Sequence, residues 1–370
     1  MNFAATFLRY ISRVFIFAVL TMVAALSGLV ALFDFIELLR RAATRPQATF
    51  AIVSEIAALR LPWEAMQILP FAVLLGGISA FWRLTRSSEL IVARATGLSA
   101  WQFLSGPTLG AALLGIAATG LVTPLSAVML ARAEALDNTY LTSTGGPLSL
   151  AGGQLWLRQS DHGLVADGVS IIHAEEVALK RRRLAIERVS VFRLAPHDQL
   201  LQRIEAERAV LDRGAWRLEG ARVISADRPP DPVSTMLLPT DLTVARVEES
   251  FASPDTLSFW KLPDFIALLE RSGFSAIRHR LRFQSLLALP VLSATMTLVA
   301  AGFSMRPARR GGTARMIGSG VSAGFALFMV SKIAEEFGGS GALPVFLAAW
   351  APAAAGLMLA IALLLHLEDG

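Results

Sequence analysis

The chain of 370 residues is 54% hydrophobic with a mean hydropathy of +0.55, which excludes an ordinary soluble globular protein and points to an integral membrane protein. Its net charge of +5 comes from arginine far more than lysine; in a membrane protein such an excess belongs to loops beside the bilayer, so nucleic acid is not implied. With no cysteine, disulfides, thiolate metal sites and cysteine nucleophiles are excluded.

The first apolar run, Val14–Phe33, carries no charge and is long enough at about 1.5 Å per residue to cross a bilayer. Arg9 and Arg13 mark its start, and Asp34, Glu37, Arg40 and Arg41 its end. A signal peptide opens in the same way, but the run continues too far, so it reads as an uncleaved first span. A second span runs from about Pro62 to Trp82, with Glu64 near its start and Pro70 inside it. The polar stretch RLTRSSELIVARATG (Arg83–Gly97) follows, with Leu98–Phe103 assigned to the same interfacial segment. The third span is placed at about Leu104–Val128, where Gly106, Gly110, Gly115 and Gly120 suit close helix contact.

Past Arg132 the pattern changes. Stretches such as GQLWLRQ (Gly153–Gln159), LAIERVSVFRL (Leu184–Leu194) and AWRLEGARVI (Ala215–Ile224) alternate with period two and are broken by Gly, Asp and Pro turns. They predict short antiparallel strands in a small sandwich or jelly roll; Glu176–Leu184 is ambiguous. An amphipathic helix, KLPDFIALLERSG, leads back to three more spans, Phe283–Met305, Met316–Ser331 and Leu343–Leu365. The fold class is therefore an α-helical integral membrane protein with six transmembrane helices and an inserted, jelly-roll-like all-β domain. Its parts are residues 1–132, 133–259 and 260–370.

Orientation follows from the short loops. Arg9, Arg13, Arg83, Arg86, Arg94, Arg306, Arg309, Arg310 and Arg315 collect on one side, which reads as cytoplasmic and carries both termini. The β domain is then exported. The exported side holds Arg40, Arg41, Arg45, Arg60, Arg278, Arg280 and Arg282, partly offset by Glu37, Glu55 and Glu64. That excess fits an anionic lipid ligand.

No stretch fits the nucleotide-binding pattern G-x-x-x-x-G-K-[ST], and no HExxH or other close metal spacing occurs. Catalysis has no support. Arg40 and Arg41 are candidates for phosphate, which guanidinium forks bind bidentately; equally they are interfacial anchors that snorkel. Arg132 has a similar, weaker case. The segment Arg83–Gly97 could dock on a cytosolic partner through Glu89, or Glu89 could simply pair with Arg86 on the helix surface. Asp34, Lys332, Glu335 and Glu336 face a cavity, form an interhelical salt bridge, or lie in the interface. Arg278, His279, Arg280 and Arg282 share that ambiguity.

Taken together, LRYISR, DFIELLRR and LPFAVLLGGISAFWRLTRSSELIVARATGLS give the chain a resemblance to the LptF/LptG (YjgP/YjgQ) permeases of lipopolysaccharide export, and it looks most like the LptG member. The most specific part is RSSELIVARATG. The resemblance implies a heterodimer with an LptF-like permease, bound to a cytosolic LptB-like ATPase dimer that uses ATP. It implies no cofactor on this chain, and LptC-like and LptA-like periplasmic bridge proteins that receive lipopolysaccharide from a periplasmic β-jellyroll. Through it Glu89, with Arg86 and Gly97, becomes the ATPase coupling site. Arg40 and Arg41, and approximately Arg132, become contacts for lipopolysaccharide phosphates in an inner-membrane protein. Asp34 departs from the family's pattern, in which another basic residue can stand nearby. A reading of another class is an envelope scaffold or sensor whose exported β domain binds periplasmic proteins. A third, an ABC exporter that transmits motion, disagrees with the six spans because its usual plan has four.

Overall fold

A computed structural model describes residues 3–45, 47–87, 89, 99–141, 149–151, 154–160, 168–180, 183–195, 199–212, 214–225, 228–240, 253–271, 275–305 and 313–368. Six of its helices are long and apolar enough to cross a membrane. They are α1 (Phe3–Ala42), α2 (Phe50–Arg86), α3 (Ala100–Ala117, continued through Ala118–Val122 into Thr123–Tyr140), α5 (Ile277–Ser304), α6 (Thr313–Gly339) and α7 (Val345–Glu368). Among the described residues, seven strands and a short helix α4 (Leu262–Arg271) lie between α3 and α5.

The helices outrun the hydrophobic stretches that predict them. At about 1.5 Å per residue, α1 is roughly 60 Å long, about twice the hydrocarbon thickness. Hydropathy sees only the part inside the bilayer, whereas capping and neighbouring helices fix where a helix stops. Thus α2 begins a dozen residues before Pro62, at Thr49, whose hydroxyl accepts from the Ile52 N–H. Likewise α3 begins at a capping box in which Ser99 and Gln102 each accept from the other's backbone N–H. Residues 100–103 therefore belong to the third spanning helix, not to the interfacial segment, and α3 runs on to Tyr140. Similarly, Lys332, Glu335 and Glu336 lie inside α6 instead of following it.

Within α3, residues Ala118–Val122 form a π turn. Its altered carbonyls find partners: Thr123 Oγ1 donates to the carbonyls of Ala118 (3.0 Å) and Thr119 (2.7 Å), and Trp260 Nε1 to that of Gly120 (3.1 Å). Thr119 in turn donates to the Leu286 carbonyl of α5 at 2.9 Å.

The chain divides into two units. One comprises Met1–Leu141, Asp255–Leu262 and Ile277–Gly370; the other Thr142–Pro254 and Pro263–Ala276. In the first, a core of Ile11, Phe15 and Val19 of α1 packs with Val73, Leu74 and Phe81 of α2 and Met296 and Val299 of α5. Small residues bring these helices close: a Cβ on Gly76 would fall 2.6 Å from the Val19 Cα, and one on Gly115 2.6 Å from the Pro290 Cα.

The second unit is one antiparallel sheet of seven strands in chain order: β1 (Ser149–Ala151), β2 (Gln154–Ser160), β3 (Val169–Lys180), β4 (Arg183–Ala195), β5 (Gln199–Asp212), β6 (Ala215–Ser225) and β7 (Arg228–Pro239). The expected inserted all-β domain is present, and its connectivity is a simple meander. Period-two patterning sends Leu155, Ile172, Ile186, Val191, Ile204, Trp216 and Leu218 to one filled face. Leu269 of α4 is fully buried with them, and Phe265 and Ile266 pack alongside, so α4 belongs to this unit from Pro263 onward. Within the ambiguous Glu176–Leu184 stretch, residues 176–180 lie in β3 and 183–184 in β4. There Arg188, at a left-handed φ of 51°, donates to Glu176 (2.6 Å) and Glu175; the two carboxylates hold its guanidinium above its usual pKa.

Candidate functional site

The C-terminal end of α1 carries two adjacent arginines that successive helical positions turn apart by about 100°. One faces inward. Leu38 and Ala42, buried with Val53 and Ile56 of α2 and Ala133 of α3, define the packed side of α1. Arg41 shares that side and forks onto Asp137 of α3, with contacts of 2.5 and 3.3 Å. Asp137 also accepts from Arg60 of α2 at 2.5 Å, and Arg60 reaches back to Asp34 of α1 at 3.0 Å. Two guanidiniums and two carboxylates thus tie α1, α2 and α3 together with no net charge among the four. These side chains are only 12–33% exposed. In such a setting breaking a pair leaves a costly uncompensated ion, although Asp34 Oδ2 has no hydrogen-bond partner among the described residues.

Arg40 points outward. Its side chain is 73% exposed and is held bidentately by Glu37, at 2.6 and 2.7 Å. Below it, Leu29, Phe33 and Ile36 stand exposed on the same helical face. Helix α3 repeats this arrangement at identical spacing: Leu121, Leu125 and Val128 are exposed, and Arg132 tops them, paired with Glu55 at 2.6 Å. Each stripe is an apolar ladder ending in one exposed arginine whose partner carboxylate is itself 42–49% exposed. Such exposed pairs contribute at most about 1 kcal/mol, so another anion can displace the carboxylate.

The structure therefore brings Arg40, Arg41 and Arg132 to one end of the membrane unit and gives them different settings. Asp34 takes the interhelical salt-bridge alternative. Arg60 and Asp137 are the residues the sequence reading misses as partners. In the sequence Arg60 stands only among the basic residues of one side and Asp137 falls in the segment expected to be β, although a helical period continuing past Arg132 through Ala133 and Asp137 signals the helix. One turn from Arg60, Glu64 is buried, and its Oε2 has no hydrogen-bond partner among the described residues.

At the other end of α2, Arg86 stacks over the Trp82 ring at 5.5 Å, and Glu89 accepts from the Ser87 hydroxyl at 2.8 Å. Each has a partner other than the local Arg86–Glu89 pair. Gly97 and most of the expected coupling segment lie outside the described residues. Lys332 binds Gln67 of α2 at 2.8 Å and Glu335 at 2.9 Å. Arg282 pairs with Asp255 at 2.9 Å, and His279 is buried.

Six helices apolar enough to cross a membrane, interrupted by a β-sheet unit, describe a multi-span membrane protein whose rim carries arginines on exposed apolar ladders. Residues 9–366 match the family described as Lipopolysaccharide export system permease LptF/LptG, and the chain belongs to that family. It is 24% identical over 370 residues to the lipopolysaccharide export system permease protein LptG of Escherichia coli K12, covering 97% of each chain. To the protein of that name from Haemophilus influenzae it is 22% identical over 346 residues, 88% of each. The match supports the export permease and not the envelope scaffold.

Proposed function

We propose that this permease works as the LptG-type half of a pair with an LptF-like chain, driven by an LptB-like ATPase dimer that consumes ATP. Both termini are cytoplasmic, and the β unit is periplasmic, handing lipopolysaccharide to LptC-like and LptA-like bridge proteins. The segment that includes Arg86, Glu89 and Gly97 couples to the ATPase. At the outer rim the lipid's acyl chains lie on the two apolar ladders, and its phosphates engage Arg40 and Arg132 by displacing Glu37 and Glu55. Arg41 shares the phosphate field from within the Asp137–Arg60–Asp34 network, where it also holds the three helices in register.

The observation that carries this reading is the repeated ladder: exposed residues at i, i+4 and i+7 topped by an exposed arginine at i+11, once on α1 and once on α3. A phosphorylated, multiply acylated lipid matches a cation above apolar surface. Photocrosslinking groups placed at positions 40 and 132 in cells are expected to capture lipopolysaccharide. Capture of bulk phospholipid alone would overturn the assignment and leave these arginines as interfacial anchors.

A further inference from the structure

The opposite end of the membrane unit carries a second cluster of arginines that the transport reading leaves unused. Between the N-terminal half of α1 and the C-terminal end of α2 lies an open groove. Arg9, Arg13 and Arg83 line its mouth, and all three are exposed. Among the described residues neither Asp nor Glu lines it. Arg9 and Arg13 stand at i and i+4, where like charges repel. The charge among the groove's described lining residues is thus positive, unlike the balanced network at the far rim.

Apart from Thr6, Thr21 and Ser79, the rest of the groove is lined by apolar and aromatic side chains. From Arg13 it descends past Val14, Phe17 and Ala18 to Met22, nine residues along α1. That is about 14 Å, roughly half the hydrocarbon thickness of a bilayer. Phe17 is 74% exposed, and Tyr10 marks the mouth as an interfacial aromatic does. Cations at one end and one leaflet's depth of apolar wall below them fit an amphiphile. A free anion would leave the wall without a partner, and an apolar helix would leave the charges without one.

We propose that this groove binds one anionic glycerophospholipid of the adjacent leaflet. Its phosphate is held by the guanidiniums of Arg9, Arg13 and Arg83, and one acyl chain runs down α1 along Phe17 to Met22. Guanidinium forks on two helices converge on one phosphate, so the bound lipid bridges α1 and α2 at this end.

The test is native mass spectrometry of the full-length protein, purified in mild detergent and delipidated, then offered dioleoylphosphatidylglycerol or dioleoylphosphatidylcholine. Preferential retention of the phosphatidylglycerol by about tenfold is expected, because both lipids offer the same phosphodiester but the choline cation of the phosphatidylcholine is repelled by three arginines. It should fall to the phosphatidylcholine level in R9Q/R13Q/R83Q and partway in R83Q alone, while R278Q/R280Q is unchanged. Equal retention of the two lipids overturns the proposal, as does a preference that survives the triple substitution. Glycerol phosphate competing as well as the lipid would also overturn it, by reducing the site to a headgroup contact. In the assembled complex, a photocrosslinker at position 17 should label phospholipid; labelling of another polypeptide would show a protein helix seated there instead.

Discussion

Helices α1 and α2 are joined at their two ends by different forces. Near Arg41 the join is electrostatic: Asp34 and Asp137 hold Arg60, and Asp137 also holds Arg41. In the other half it is close packing. Gly76 lies against the Val19 backbone, and Phe15 stacks on Phe81 with ring centroids 5.8 Å apart. Dispersion attraction needs contact and is indifferent to charge, whereas a cross-link of ions fixes direction and fails sharply when one member goes. The packed half can therefore leave Arg9, Arg13 and Arg83 free for a groove. At the ionic end the inward Arg41 and Arg60 are paired within the network, and the outward Arg40 and Arg132 stand exposed.

Breaking the ionic join should have the largest effect. Asp137→Ala leaves Arg41 and Arg60 partly buried without their shared carboxylate. A loss of about 3 kcal/mol is expected, read as a lower thermal midpoint of the purified protein, and Asp34→Ala should cost less because it touches Arg60 alone. A midpoint unchanged in Asp137→Ala would mean the network does not hold the three helices. Next comes the packed join. Gly76→Ala forces backbone apart and should destabilise by about 1–3 kcal/mol, while Gly28→Ala, whose new Cβ would meet nothing within 4 Å, should not. Comparable losses in both would show that helix packing is not what the glycine serves. The smallest effect belongs to the exposed pairs. Arg132→Gln and Arg40→Gln should each shift stability by less than about 1 kcal/mol, yet lower lipopolysaccharide capture from a neighbouring crosslinker. A stability loss as large as that of Asp137→Ala would place these residues with the structural network.

The six spans, the β unit and the amphipathic α4 were legible in the sequence because each rests on a local pattern: an uncharged apolar run, period two, or period 3.6. Helix ends were not. Ser99 caps α3 through Gln102, and residues 133–140 stay helical outside the apolar run, where hydropathy has no signal. The site was half legible. Arg40, Arg41 and Arg132 could be picked out as rim cations, but the division of labour among them depends on Asp137, 96 residues from Arg41. The feature that separates Arg40 from its neighbour, the ladder beneath it, is present in the sequence. It becomes meaningful only once exposure distinguishes the outward face of α1 from the packed one.

The π turn in α3 bears on this last point. On the exposed face of α3 the steps run Leu109, Leu113, Ile116 and then, five residues on, Leu121, before the ordinary spacing resumes toward Arg132. The helix therefore stores one residue more than an α-helical path of the same length requires, and the turn at Ala118–Val122 is where that slack is parked. Slack of this kind can be handed along a helix by exchanging one hydrogen bond at a time. If it passes toward the rim, each residue it overtakes rotates by about 100° and advances by about 1.5 Å, while both ends of α3 keep their places. Such a shift would swing Leu125, Val128 and Arg132 off the face they now share without moving Asp137 from its two arginines. On the proposed reading, the α3 ladder would in this way release its lipid with the helices still locked together.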